Sequence, residues 1–270
     1  MTFCRNKSTF PLNRHIKVLR SEAAATEPTG ITALDSLLGG GIPRPSATGI
    51  IGSVGSGKST LAQQLVVNML QRDFRVLYYA IDEPAADVRT GLAEFGADAA
   101  KQEADGHLAF VDIFSLGVER LADSQQPTEP ETIVDTTFKF SDLVSQGRNF
   151  TLKHLGKKQF VVLDSLTPFF LMVEAKRVFQ FGQVLKYATR FARAIGIAVL
   201  HTKVLNETIE NAMVSFADVV LELEKKRPLD LSSPGGTLKI VKLGKSKVPP
   251  SAYPYEITSR GIEISQTPLA

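Results

Sequence analysis

The chain has 270 residues, 43% of them hydrophobic and 22% charged, with a formal net charge of +3. That apolar share suffices for a core and excludes a disordered chain, and so even a charge balance does not announce a nucleic-acid binder. A single cysteine, Cys4, excludes an intrachain disulfide. With no apolar run of the ~20 residues that span a bilayer, and no signal-peptide stretch in the first twenty, a reducing, cytoplasmic location is expected.

Residues 1–20 carry Arg5, Lys7, Arg14, Lys17 and Arg20 and no acid. Residues 1–27 therefore read as a basic, flexible segment, ending in a linker from Ser21 to Pro28, ahead of a domain over 28–270. Thr32 to Leu38 follows as a short helix, with Thr32 placed to cap it and Asp35 three residues on. Glycines 39–41 stop it, and Pro43 and Pro45 keep the residues before them extended. Thr48 to Ile51 is a short apolar run ending in glycine, as a buried strand is.

Gly52-Ser53-Val54-Gly55-Ser56-Gly57-Lys58-Ser59 then fits Gly-x₄-Gly-Lys-Ser/Thr with no departure, and Thr60 follows. Glycines let the backbone turn tightly against phosphates, and successive N–H groups point into one anion-binding hollow. Lys58 brings a positive charge to the β/γ-phosphates, and the Ser59 hydroxyl can ligate Mg²⁺. Leu61, Leu65 and Met69 recur at helical spacing, so a helix N-terminus faces the phosphates.

Arg75 to Ile81 reads as a second strand ending in Asp82-Glu83, and Pro84 opens a helix to Phe95. His107 to Ile113 is a third strand, 117–135 a polar loop with Pro127 and Pro130, and Thr136 to Leu155 a helix. Phe160-Val-Val-Leu-Asp164-Ser165 reads as a fully buried strand with a carboxylate at its C-terminal end, where open α/β sheets place ligands. Phe181, Val184, Ala188, Phe191 and Ile195 mark a long helix with its apolar stripe inward, broken at Gly196, and Ile197 to Leu200 is a strand ending at His201. Four strands close the chain: Phe216 to Leu223, Thr237 to Leu243, Tyr253 to Thr258 and Gly261 to Ile264. The alternation predicts one α/β domain with a central, mostly parallel sheet flanked by helices, completed by C-terminal strands.

The block from Thr29 to Pro43 (Thr-Gly-Ile-x-x-Leu-Asp-x-Leu-Leu-Gly-Gly-Gly-Ile-Pro), the phosphate loop, the acidic pair after the second strand and the apolar-Asp-Ser strand resemble the RecA superfamily, and more narrowly single-domain relatives of the clock protein KaiC. The resemblance covers roughly residues 28–264. It implies a RecA-type P-loop NTPase core, ATP and Mg²⁺ as cofactors, and a homo-oligomer, a hexameric ring with ATP between subunits. Residues 52–60 match the ATP-binding loop, Ser59 and Asp164 the Mg²⁺ site, and Asp82 and Glu83 the catalytic acids. Lys242 matches a lysine that reaches the neighbouring subunit's γ-phosphate. The arginine usual two positions later is Gly244 here, which leaves Lys245 or Lys247 as substitutes. KaiC's second ATPase domain has no counterpart in the sequence, and timekeeping does not carry over.

Each residue also has a plainer reading. Glu83 and Asp82 could be solvated acids at a strand end, and the lysines at 242, 245 and 247 a solvated hairpin face. His201 could sense the γ-phosphate or be a structural histidine, and the phenylalanines of 179–191 read as core. The expected function is slow, Mg-dependent ATP hydrolysis by a regulatory or motor-associated ATPase acting through nucleotide-dependent assembly with an unidentified protein partner. The archaellum accessory ATPase is one candidate subfamily. The alternatives are a DNA recombinase or repair paralogue and a module that holds ATP without hydrolysing it. Specific DNA binding is not expected, because the segment 202–214 sets Lys203 against Glu207 and Glu210.

Overall fold

The computed structural model describes residues 25–123, 140–172, 175–225, 235–244, 246, 248 and 251–269. A two-stranded ribbon pairs β1 (Ala25–Glu27) with β2 (Ile42–Arg44). The main strands are β3 (Ser46–Gly52), β4 (Arg75–Ala80), β5 (Leu108–Asp112), β6 (Gln159–Asp164), β7 (Ile195–His201), β8 (Val219–Lys225), β9 (Gly235–Leu243), β10 (Ala252–Thr258) and β11 (Gly261–Ile264). Among the described residues they form a 9-stranded sheet in the order β11-β10-β9-β8-β3-β7-β6-β4-β5. From β8 to β5 all pairings are parallel, and β9, β10 and β11 add antiparallel strands on one side.

The helices are α1 (Thr32–Leu37), α2 (Lys58–Leu70), α3 (Ala85–Glu94), α4 (Ala99–Ala104), α5 (Ile113–Asp123), α6 (Phe140–Lys153), α7 (Thr167–Met172), α8 (Ala175–Ala192) and α9 (Glu207–Phe216). They cover both faces of the sheet, which is why β4 is apolar without interruption. Val76, Tyr78 and Ala80 pack with Leu61, Leu65 and Met69 of α2, while Leu77, Tyr79 and Ile81 pack with Phe150 of α6 and Phe169 of α7. A strand with period 2 and helices on both sides buries every side chain. Parallel pairing also fixes where the strands end together. Gly52 stands opposite His201 and Leu223, and Ala80 opposite Asp164 and Asp112. The segments singled out for chemistry thus leave one edge of the sheet side by side.

The architecture is the expected one; several elements differ. Ala25–Glu27 is a strand rather than linker, held because buried Glu27 accepts from Arg44 Nε (2.8 Å) and Lys158 Nζ (3.0 Å). Residues 113–123 are helical where a loop was expected from 117, and the prolines at 127 and 130 lie outside the described residues. The expected helix from Thr136 is described from Phe140. Phe216 ends α9 and the strand starts at Val219. α8 ends before Arg193, whose φ is 50°, and Gly196 lies inside β7. The inward face of α8 is also not the expected stripe. Gly182 and Thr189 are buried, while Phe179, Val184 and Tyr187 are exposed. Phe179 meets Phe216 edge-on at 4.6 Å instead of entering the core. Gly182 explains the rotation: a Cβ there would lie 2.4 Å from the Phe216 ring, so α9 packs against the bare backbone.

Candidate active site

The phosphate loop leaves β3 at Gly52 and re-enters regular structure at Lys58, the first residue of α2. A Cβ on Gly52 would lie 2.0 Å from the Leu223 carbonyl oxygen, so only glycine lets β8 run this close. Gly57 has φ +80° and sits under Ile257 and Ile262, and the Tyr255 hydroxyl donates to the Ser56 carbonyl at 2.5 Å. β10 and β11, which the sequence placed only as strands completing the sheet, therefore brace the loop from outside.

Lys58 is buried, and its Nζ donates to Ser53 O at 2.6 Å. Burial pushes its pKa down to about 8, against the attraction of Asp164 and Asp82. Ser59 Oγ donates to Asp164 Oδ1 (3.1 Å) and the Tyr78 hydroxyl to Oδ2 (2.6 Å). Burial raises the Asp164 carboxyl to about 6 although both hydrogen bonds favour its ionised form. The Ser56 hydroxyl is buried in the loop with no hydrogen-bond partner among the described residues. A buried cation, an unpartnered hydroxyl and a glycine-shaped backbone make a cradle suited to an anion.

The residues present also fit a hard divalent cation. Ser59 Oγ and the Asp164 carboxylate are adjacent oxygen donors. Among the described residues no group of three or more His, Cys, Asp or Glu side chains could hold a metal by itself. Such a sparse set is what Mg²⁺ uses when water and substrate phosphate complete its octahedron.

Asp82 and Glu83 emerge from β4 beside Asp164, whose carbonyl accepts from Ile81 N (2.8 Å) and Asp82 N (3.3 Å). Glu83 is half-buried and takes a hydrogen bond from Gln63 Nε2 of α2 at 3.1 Å. Burial, then Asp164, Asp87 and Asp82, raise its pKa. Asp82 turns to the other side, 3.9 Å from His201 Nδ1. Thr167 Oγ1 accepts from the His201 N–H (2.8 Å) and lies 3.2 Å from Nδ1, with Ser165 Oγ at 3.5 Å. Burial and then Lys58 lower the histidine's pKa.

Lys242 stands apart. It pairs across to Val220 near the start of β8, whereas the loop lies at the other end, beside Leu223. Its Nζ donates to Val214 O (3.2 Å) and Ser215 O (2.9 Å) at the end of α9. Lys245 and Lys247 lie outside the described residues. The structure thus gathers residues 52–60, Asp82, Glu83 and Asp164, and leaves Lys242 on the opposite edge. The sequence reading passed over Gln63, Tyr78, Ser165, Thr167 and Tyr255. Of these only Tyr78 carried a signal: like Tyr79 beside it, it puts a hydroxyl into an apolar buried strand, where it must find a partner.

A phosphate loop on a central parallel strand, with a buried aspartate and an acidic pair on strands of the same sheet, defines a RecA-type ATPase core. A family model described as "ATPase: KaiC" matches residues 27–268, and the chain belongs to this KaiC-like ATPase family. It is 33% identical over 145 residues to a UPF0273 protein of Pyrococcus furiosus, covering 53% of this chain and 55% of the relative. With a UPF0273 protein of Aeropyrum pernix it shares 28% identity over 243 residues, 87% of this chain and 91% of the other. The chain spans about half the length of the first curated relatives that it matches, 55% and 48%. A solved KaiC-like protein of Pyrococcus horikoshii superposes with a TM-score of 0.69 at 21% identity, over 90% of this chain and 100% of that one, a likeness of fold.

Proposed function

We propose that this chain binds ATP with Mg²⁺ and hydrolyses it slowly to ADP and phosphate, as a regulatory or motor-associated ATPase whose copies assemble around the nucleotide. The observation that carries the reading is the convergence of buried Lys58, the Ser59–Asp164 pair and Glu83 at one edge of the sheet. The loop N–H groups and Lys58 hold the phosphates, and Lys58 exchanges its bond to Ser53 O for a phosphate oxygen. Ser59 and Asp164 would hold the metal, which would supply charge neutralisation to the phosphates. Glu83 orients a water and takes its proton, and its raised pKa makes it a better acceptor than an exposed glutamate. Asp82 supports His201, whose N–H and ring are held by Thr167, as a contact to the γ-phosphate side.

Lys242 acts in a neighbouring copy's site, since its place on the opposite edge keeps it from its own. A closed ring, hexameric as the family resemblance implies, lets each copy both give and receive such a contact. A specific DNA role fits poorly. Asn206 Oδ1 caps α9 (2.9 Å from Ile209 N), and Glu207 and Glu210 occupy its first turn, so the segment after β7 presents acids to any phosphate backbone. No described helix is long and apolar enough to cross a membrane. The test is Glu83→Gln. The amide keeps the shape and the partner Gln63 but cannot take a proton, so Mg-ATP should bind as in the unchanged protein while phosphate release falls by about 10²-fold or more. Unchanged turnover would move water activation to another group.

A further inference from the structure

Lys186 and Arg190 stand one turn apart on α8, and both reach Asp218 Oδ1 at 3.3 Å. The other carboxylate oxygen of Asp218 accepts from Ala47 N at 3.1 Å, at the start of β3. The Asp218 carbonyl accepts from Gly244 N at 2.6 Å and so ties down the end of β9, where Lys242 lies. Lys242 feels the cluster directly: burial lowers its pKa first, Lys186 next, and Asp218 opposes them. Two cations thus share one carboxylate, and a third, Lys242, is held by the Val214 and Ser215 carbonyls close enough to feel them. Arg190 is the outermost, with half of its side chain exposed (52%) against 29% for Lys186. On the same helix the exposed ring of Tyr187 flanks them, the kind of surface a second molecule covers.

An excess of positive charge held on a rigid helix and strand suits an anion with several oxygens, and a guanidinium binds such an anion through two N–H groups at once. The chain's own triphosphate is out of reach. Ala47 and Gly52 stand at opposite ends of β3, roughly 16 Å apart at strand rise, about twice the reach of an arginine.

We infer that Arg190, with Lys186 and Lys242, receives the terminal phosphates of a nucleotide held by a second copy of this chain, Arg190 supplying the guanidinium that Gly244 cannot. The inference rests on the assembly reading given above. It adds a catalytic arginine at a position outside the β9 segment. Charge develops on the transferring phosphoryl oxygens, and a planar donor aimed at them from the neighbour stabilises the transition state more than the ground state.

The experiment compares the unchanged protein with Arg190→Ala and Arg190→Lys, recording particle size with Mg-ATP and phosphate release together. Arg190 is half exposed and Lys186 retains Asp218, so both variants should fold, and as single copies they should bind Mg-ATP in their own loop with unchanged affinity. Arg190→Ala should form the same assembly and hydrolyse about 10²-fold more slowly, with Arg190→Lys in between. Mixed with Glu83→Gln subunits, which carry Arg190 but are themselves slow, Arg190→Ala should regain activity above either protein alone. Full activity of assembled Arg190→Ala, or a loss that mixing does not repair, would overturn the inference and leave the assembly reading standing. Failure of the unchanged protein to assemble would overturn both.

Discussion

Lys58 and Asp164 are ionisable groups held out of water within one site, and burial moves them in opposite directions: the ammonium down to about 8, the carboxyl up to about 6. Bound Mg-ATP needs both charged, and its phosphates and metal favour those forms. Below about pH 6 binding must therefore expel a proton from Asp164, and above about pH 8 it must take one up at Lys58. Affinity should be level between these values and fall on either side, by up to about tenfold per pH unit. Titration calorimetry across this range checks the profile. In Lys58→Arg, whose guanidinium stays charged, the alkaline limb should vanish, and a limb that persists would assign it to another group. Lys58→Ala should lose most ATP affinity without unfolding, since it forfeits a phosphate-facing charge and little core packing.

At the scale of elements, the loop depends on neighbours that come late in the chain. β8 passes so close to Gly52 that a single methyl would meet the Leu223 carbonyl. Gly52→Ala should lower the urea midpoint at unchanged m by about 2–3 kcal/mol of stability, because a backbone carbonyl cannot step aside as a side chain can. A midpoint equal to that of the unchanged protein would mean that β8 has room to move. The motif, the parallel strands and the acid closing β6 were legible in the sequence because their signals are local: an apolar run, a glycine spacing, an acid at a strand end. α9 escaped because its signal was its cap. Asn206 bonding Ile209 N, with acids in the first turn, was read only as charge in a loop. β1 has three residues and exists by pairing with β2 and through the Glu27 bonds to Arg44 and Lys158, none of which its own residues announce. The same holds inside the site. Tyr78 finds Asp164 across 86 positions and Tyr255 finds Ser56 across 199, so the donors that complete it were visible only once the sheet was ordered.

For the whole molecule, the proposed cradle, metal-binding oxygens and base lie at one edge of the sheet, and Lys242, the proposed trans-acting group, lies at the other. A lone copy on this account binds Mg-ATP but lacks the charge that neutralises the γ-phosphate in the transition state, a contribution of roughly 10³–10⁵ in rate where an arginine finger provides it. Placing each copy's Lys242 edge against the next copy's loop, around a closed ring, completes every site. The measurement that bears on this most directly is phosphate release per subunit, at saturating Mg-ATP, over a wide range of protein concentration with particle size followed in the same samples. The rate per subunit should rise as assemblies form and level off when assembly is complete. A rate per subunit that stays constant while the protein passes from single copies to assemblies would show that one chain holds a complete site, and would contradict the account.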